Sequence, residues 1–328
     1  MPDVPITIAA GDYDRVRALR EGTVPIAGCA VSYSTVEANA LFIRNLKNQE
    51  LDVSEMSFST YITLKARGAH HYTAVPVFLS RAFRHSAIFV RSDCIASPAD
   101  LKGKQVGTPE YLTTMLVWLR GLLSDEYGVK PSDLRWRLGG MEQPSQKSGP
   151  PEPVAGVEIE NIPSNKTLAG MLAEGELDAL FTARPPSCFL KGAPNVGRLF
   201  PDYPAVEEAY YKKTKLFPIM HAIGIRKSIV EKYPWVAVNI FKAYLKAKAL
   251  CMHELGQIGH LHATLPWPVH AYDHARKVMG EDYWLYGAHE NKLPLETLAR
   301  YSFQQGLSVR HVAFEEMFAK PTYELSKI

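Results

Sequence analysis

The 328-residue sequence contains no run of 18 apolar residues, so no transmembrane helix is expected. It has no basic run either. Its 37 lysines and arginines stand against 34 acids, spread along the chain for a net +3, which gives no track for a phosphate backbone and makes nucleic acid an unexpected partner. Cysteine is scarce: Cys29, Cys94, Cys188 and Cys251 lie far apart and form no CxxC pair, a count that neither requires nor excludes two disulfides. A basic stretch followed by an apolar one, the mark of a secretory signal, is missing too. Asp3 and Asp12 interrupt MPDVPITIAAGDYDR, which reads as a first strand. With a native start, this implies a cytoplasmic address and reduced thiols. Internal repeats and low-complexity tracts are absent.

What is present is ordinary globular composition, 46% hydrophobic and 22% charged. The length exceeds one ordinary core and fits two lobes, or one domain with a large insertion. Ile6 to Ala10 is an apolar run closed by Gly11-Asp12, a strand entering a turn. Val36 to Lys47 has helical spacing, and Leu51 to Ser57 is a strand ending in polar residues. Thr60 to Arg67 is a helix stopped by Gly68, and Tyr72 to Leu79 and Ser86 to Arg91 are β-rich. From Leu101 strands and helices alternate. Lys104 to Thr108 is a strand. Tyr111 to Glu126 is an amphipathic helix with Tyr111, Met115, Trp118, Leu119 and Leu122 on one side and Gly128 as its stop.

Leu134 to Leu138 is the next strand. Residues 141–156 form a proline-rich exposed loop within a lobe. Val157 to Ile162 and Leu177 to Thr182 are strands around a helix from Thr167, and Pro201 to Lys215 is polar and tyrosine-rich. Phe217 to Ile225 is a strand able to return the chain to the first lobe, and Pro234 to Leu255 is a long helix. This alternation predicts an α/β fold of two lobes with a ligand cleft between them, ligands lying beyond the carboxyl ends of strands.

Several segments carry a recognisable signature in order: Gly11-Asp12-Tyr13-Asp14-Arg15, the Arg81–Ser86 stretch, Tyr111 to Thr114 leading to Trp118-Leu119-Arg120-Gly121, and Glu126 to Val129. Gly139 to Glu142, Arg198 to Asp202, Phe217 to His221, Tyr286-Gly287 with Asn291, and Gln305-Gly306-Leu307 follow. Together, from about residue 6 to 318, they resemble the 4,5-dihydroxyphthalate decarboxylase family, which shares the type II periplasmic-binding-protein fold. The resemblance implies discontinuous lobes, 1–100 plus 222–328 and 101–221, and a carboxy-lyase acting on a small aromatic dicarboxylate. It further implies protocatechuate as the product of 4,5-dihydroxyphthalate, by ring protonation with arginine-clamped carboxylates. No cofactor fingerprint is visible and no metal is expected. Nor is membrane attachment, and a homo-oligomer is allowed. Two other readings stay open: a non-catalytic binding protein for an aromatic carboxylate, and a pyrimidine or thiamine-precursor enzyme on the same fold.

Such chemistry needs cations for two carboxylates, an acid for the ring carbon and support for charge in the ring. His85, Glu55 and His221 are the expected catalytic residues. Arg81 and Arg84 lie in one run with His85 as a clamp, against the alternative of a solvated basic turn. Arg184 follows a strand and precedes two prolines, with a surface ion pair as the alternative. Glu55 ends a strand, with Ser57 beside it, as a base toward a phenol. Asp12 and Tyr13 lie past the first strand among expected ligand contacts, whereas Asp14 and Arg15 are expected to pair with each other. His221 closes an apolar strand, where a satisfied core histidine is the alternative. Thr113 and Thr114 open a helix that favours anions, or merely cap it. His260, His262, His270 and His274 match no metal motif and are expected on the surface.

Overall fold

The computed structural model describes residues 2–145 and 152–326, so most of the proline-rich loop expected at 141–156 lies outside the described residues. The strands are β1 (Val4–Ala10), β2 (Cys29–Thr35), β3 (Val53–Ser57), β4 (Tyr72–Arg81), β5 (Ile88–Arg91), β6 (Gln105–Thr108), β7 (Arg135–Leu138), β8 (Glu158–Asn161), β9 (Ala179–Phe181), β10 (Val196–Arg198) and β11 (Ile219–Arg226). The helices are α1 (Arg17–Arg20), α2 (Ala38–Ile43), α3 (Phe58–Ala66), α4 (Thr114–Tyr127), α5 (Leu168–Glu174), α6 (Ser187–Leu190), α7 (Tyr203–Thr214), α8 (Lys227–Lys232), α9 (Pro234–Leu255), α10 (Pro268–Met279) and α11 (Lys292–Gln304). None of them is long and apolar enough to cross a membrane. All four cysteines are free thiols.

The chain divides into two compact units, one of Met1–Arg81, Ile219–Glu296 and Val312–Ile328, the other of Ala82–Pro218 and Thr297–His311. The first is built on a five-stranded sheet in the order β2-β1-β3-β11-β4. β1 runs parallel to β2 and β3, while β11 runs antiparallel to both β3 and β4. The carboxyl ends of β1, β3 and β4 and the start of β11 therefore share one edge. Ile6, Ile8, Val53, Val75, Ile223 and Ile225 alternate into its core, each at most 1% exposed. β2 is an edge strand exposed along most of its length, which is why its sequence shows no apolar alternation.

The second unit holds a six-stranded sheet, β10-β5-β9-β6-β7-β8. β6, β7 and β8 are parallel to one another and β6 to β9, while β5 runs antiparallel to β9 and β10. α4 buries Trp118, Leu119, Leu122 and Leu123 and ends at Gly128, whose φ of 64° is the left-handed conformation that suits glycine.

The unit limits fall elsewhere than at residues 100 and 222. β5 belongs to the second unit because both of its partners, β9 and β10, lie there. Residues 297–311 join it through a buried arginine: Arg120 donates from Nε to Gln305 Oε1 at 2.7 Å, and Gln305 donates back to the Val117 carbonyl at 2.8 Å. The polar, tyrosine-rich stretch forms a helix, Tyr203–Thr214; only Tyr210 on it is buried, so its apolar periodicity is faint.

Candidate active site

β3 runs into its carboxyl edge through Glu55, whose side chain has no solvent-exposed surface. A buried carboxylate costs several kcal/mol unless donors surround it. Three are supplied by the first unit. The Gly11 N–H donates to Oε2 at 2.8 Å, the Tyr13 hydroxyl to Oε1 at 2.7 Å, and His221 Nδ1 meets Oε1 at 2.6 Å. Burial by itself would push the Glu55 carboxyl up. The hydrogen bond and charge of His221, with the donors from Tyr13 and Gly11, outweigh it and hold the carboxyl below its usual value.

An ionised carboxylate only accepts, so Nδ1 of His221 carries the proton in this contact and Nε2 is the ring nitrogen not engaged by Glu55. The strands explain the meeting. His221 pairs with Ser57 and Ile223 with Glu55, so Glu55 and His221 are diagonal neighbours on one face. The ring of Phe42 meets the His221 ring edge-on, centroids 4.9 Å apart.

The loop after β1 is shaped for the same purpose. A Cβ on Gly11 would lie 2.9 Å from the Tyr13 ring, so glycine there lets the phenol fold back toward Glu55. Arg15 is held between the Tyr13 and Trp284 rings, 4.3 Å from each centroid, and its Nε donates to the Leu79 carbonyl at 2.9 Å. It also pairs with Asp14 at 3.0 Å, as expected from the sequence. Asp12 points instead to an exposed ion pair with Arg20. Ser57 accepts from Thr60 Oγ1 at 3.0 Å.

The remaining expected residues are placed as follows. Arg81, 7% exposed, donates to the Leu285 carbonyl at 2.9 Å and to Asn291 Oδ1, and so ties the 285–291 segment to β4. His85 lies ahead of β5 and outside it. It begins a 3-10 turn and is 1% exposed, packed edge-on against Phe200 and Tyr210. Its Nδ1 is 3.8 Å from Glu207, and neither ring nitrogen has a hydrogen bond among the described residues. Burial lowers the Arg84 guanidinium to about 10 despite the opposing charge of Glu207. Glu55 and His221 belong to the first unit, His85 and Arg84 to the second.

Thr113 is the N-cap of α4, accepting from Leu116 N at 3.4 Å, and Thr114 is buried behind it. Arg184 is exposed beyond the carboxyl end of β9, with its backbone turned by Thr182 Oγ1. Among the described residues no three His, Cys, Asp or Glu side chains form a metal-binding group. The His260 and His262 rings are tilted with centroids 4.6 Å apart, and those of His270 and His274 stack at 6.4 Å.

Sequence reasoning missed Tyr33 and Tyr244, and Tyr286 entered it only as part of a motif. All three hydroxyls are buried, those of Tyr33 and Tyr244 against each other, and burial raises each phenol above its usual value. Tyrosines scattered over an edge strand, a helix and a loop give no local pattern that would bring them together.

The comparisons with known proteins agree with this architecture. Residues 16–147 match the family model of the "ABC transporter, phosphonate, periplasmic substrate-binding protein". The periplasmic aliphatic sulphonate binding protein SsuA from Escherichia coli superposes with a TM-score of 0.54 at 15% identity, covering 98% of this chain and 99% of its own. The fold is thus periplasmic-binding-protein-like. A 4,5-dihydroxyphthalate decarboxylase of Pseudomonas putida is 42% identical over 63% of this chain and 81% of its own length. One of Comamonas testosteroni is 40% identical over the full length of both. The chain belongs to the 4,5-dihydroxyphthalate decarboxylase family, a family of carboxy-lyases.

Proposed function

We propose that the protein removes one carboxylate from 4,5-dihydroxyphthalate, giving protocatechuate and carbon dioxide. Full-length identity to a decarboxylase of that name is the observation that carries the substrate. The Glu55–His221 contact supports a proton-transfer mechanism.

The chemistry follows from the substrate. The ring carbon bearing the departing carboxylate takes a proton, while the hydroxyl para to it gives up its own and feeds electron density into the ring. The carbon–carbon bond then breaks, its electron pair restores aromaticity, and carbon dioxide leaves. The hydroxyl regains a proton, so one proton is consumed overall. We assign delivery of the ring proton to His221 Nε2. Glu55 is the positioning residue, since both of its oxygens already accept hydrogen bonds and it has no exposed surface. Tyr13 in turn fixes Glu55.

Arg84 and Arg184 stand at the carboxyl edge of the second sheet, where α/β sheets receive ligands, and we assign them to the carboxylates. Arg81 is left out of this set because its guanidinium holds the 285–291 segment.

The test is direct. Purified protein incubated with 4,5-dihydroxyphthalate should release carbon dioxide and protocatechuate in equal amounts, with or without chelator. Tight binding with no release would turn the reading to a binding protein. Loss of release with chelator would overturn the metal-free mechanism.

A further inference from the structure

The first unit contains a cavity of about 190 Å³ whose wall includes Glu55. A cavity of roughly 150 Å³ lined by apolar side chains takes up one benzene ring. This one therefore has room for a single ring and a substituent or two. Its walls suit a flat apolar body: Phe42 and Leu64 line it together with the rings of Tyr61 and Tyr72. Both tyrosine hydroxyls are engaged elsewhere, Tyr61 donating to the Met317 carbonyl at 2.6 Å and Tyr72 to the Leu51 carbonyl at 2.7 Å.

Two polar atoms of the lining are left over. Asn45 is 2% exposed, and its amide nitrogen donates to Ser54 Oγ, which in turn donates to the Glu55 carbonyl at 2.9 Å. Its Oδ1 has no hydrogen-bond partner among the described residues. The Nδ1 of His70 is likewise buried and without one. Nε2 of His70 lies 3.4 Å from Lys65 Nζ, which only donates, so Nε2 accepts and Nδ1 of the neutral ring carries the hydrogen. Burial, then the charge of Lys65, lowers His70 to about 4, which keeps it neutral. Two residues of the lining thus carry a buried orphan group, one acceptor and one donor. Leaving such groups unpaired in a buried site is unfavourable. A phenolic hydroxyl, donor and acceptor at once, satisfies both kinds.

We infer that this cavity is a binding site for a hydroxylated aromatic ring, with Asn45 and His70 recognising its hydroxyl groups. Identification of that ring with the substrate's own rests on the proposed function. It is favoured by Glu55 in the wall and by Phe42, which lines the cavity and touches His221.

Catechol, which has no carboxylate, probes the cavity without the rest of the reaction. Calorimetric titration of the full chain should show catechol binding at least tenfold tighter than toluene, which fills the walls but offers no hydroxyl. Leu64→Phe fills the cavity, and Asn45→Leu removes the acceptor. Each should weaken catechol at least tenfold, with the thermal unfolding curve checked in parallel. Should either variant fail to fold, Ala69→Leu obstructs the cavity from an exposed position and should have the same effect. Catechol should also inhibit turnover competitively. Failure of catechol to bind, equal binding of toluene, or unchanged binding in Leu64→Phe and Ala69→Leu would each overturn the inference. Failure of the decarboxylase reading shows separately, as no carbon dioxide release while catechol binding and its loss in the variants persist.

Discussion

His221 and Glu55 meet at 2.6 Å across adjacent antiparallel strands, one diagonal step apart on the same face of the sheet. This contact engages Nδ1 and leaves Nε2 as the nitrogen proposed to deliver the ring proton. His221→Asn keeps a donor near the position of Nδ1 but has nothing in place of Nε2. It should therefore lower kcat by about 10²–10⁴-fold, the usual size of a general acid–base contribution, with KM changed little. His85→Phe keeps a ring between Phe200 and Tyr210 and should cost less than about tenfold in kcat, by the same yardstick. Single-turnover measurement on both variants checks the assignment. A larger loss from His85→Phe would restore His85 as the acid.

Glu55 also ties activity to stability. Glu55→Leu leaves the Gly11 N–H, the Tyr13 hydroxyl and His221 without their acceptor, and should destabilise the protein by roughly 2–4 kcal/mol at neutral pH. The pH dependence follows from the lowered carboxyl. Below the unfolded value, about 4.3, the unfolded chain takes up a proton that the folded chain resists. The contribution is complete above that pH and is lost as pH falls through the folded value. Melting temperature should fall more steeply with acid below pH 4.3 in the native chain than in Glu55→Gln, and parallel curves would contradict this.

Most of the first sheet was legible because its buried strands announce themselves. Ile6 to Ala10 and Phe217 to Ile225 carry apolar runs and Leu51 to Ser57 ends in polar residues; Glu55 lies near the end of β3, whereas His221, expected to close its strand, lies near the start of β11. What was not legible depended on long-range register. His221 meets Glu55 across 166 positions only because β11 returns antiparallel beside β3. Asn45 and His70 escaped notice for a related reason. One lies in a π-helical segment, Arg44–Asn48, and the other beside a second histidine, and only the burial of a single nitrogen or oxygen sets them apart. The arginine-rich stretch hides a long-range partner in the same way: Arg81, expected from its motif as a clamp, donates to Asn291, 210 positions away in the same unit.

Tyr13 and Gly11 should act as one device. Tyr13→Phe removes one charged hydrogen bond to Glu55, worth about 1.5–3 kcal/mol. Gly11→Ala puts a methyl group against the ring and displaces the same phenol. Because both changes break a single contact, the double variant should lose much less than the sum of the two single losses, in stability and in kcat. A double-mutant cycle measures this. Additive losses would mean that Gly11 serves some other purpose than making room for the Tyr13 ring.

His70 gives the protein a second acid-sensitive element, with a window set by its lowering to about 4 from an ordinary 6.5. Between these values the unfolded chain binds a proton at His70 that the folded chain does not, so stability rises with pH across the window and falls as pH drops from about 6.5 toward 4. Below 4 both states are protonated and the slope ends. This interval lies above the one governed by Glu55, and the two separate in a titration. His70→Phe removes the titrating group but keeps a ring in the cavity wall. It should flatten the stability profile between pH 4 and 6.5 while leaving the steeper fall below pH 4.3 in place. Thermal unfolding followed at half-unit pH steps checks this. A profile that stays steep between pH 5 and 6.5 in His70→Phe would assign the proton uptake to a different group.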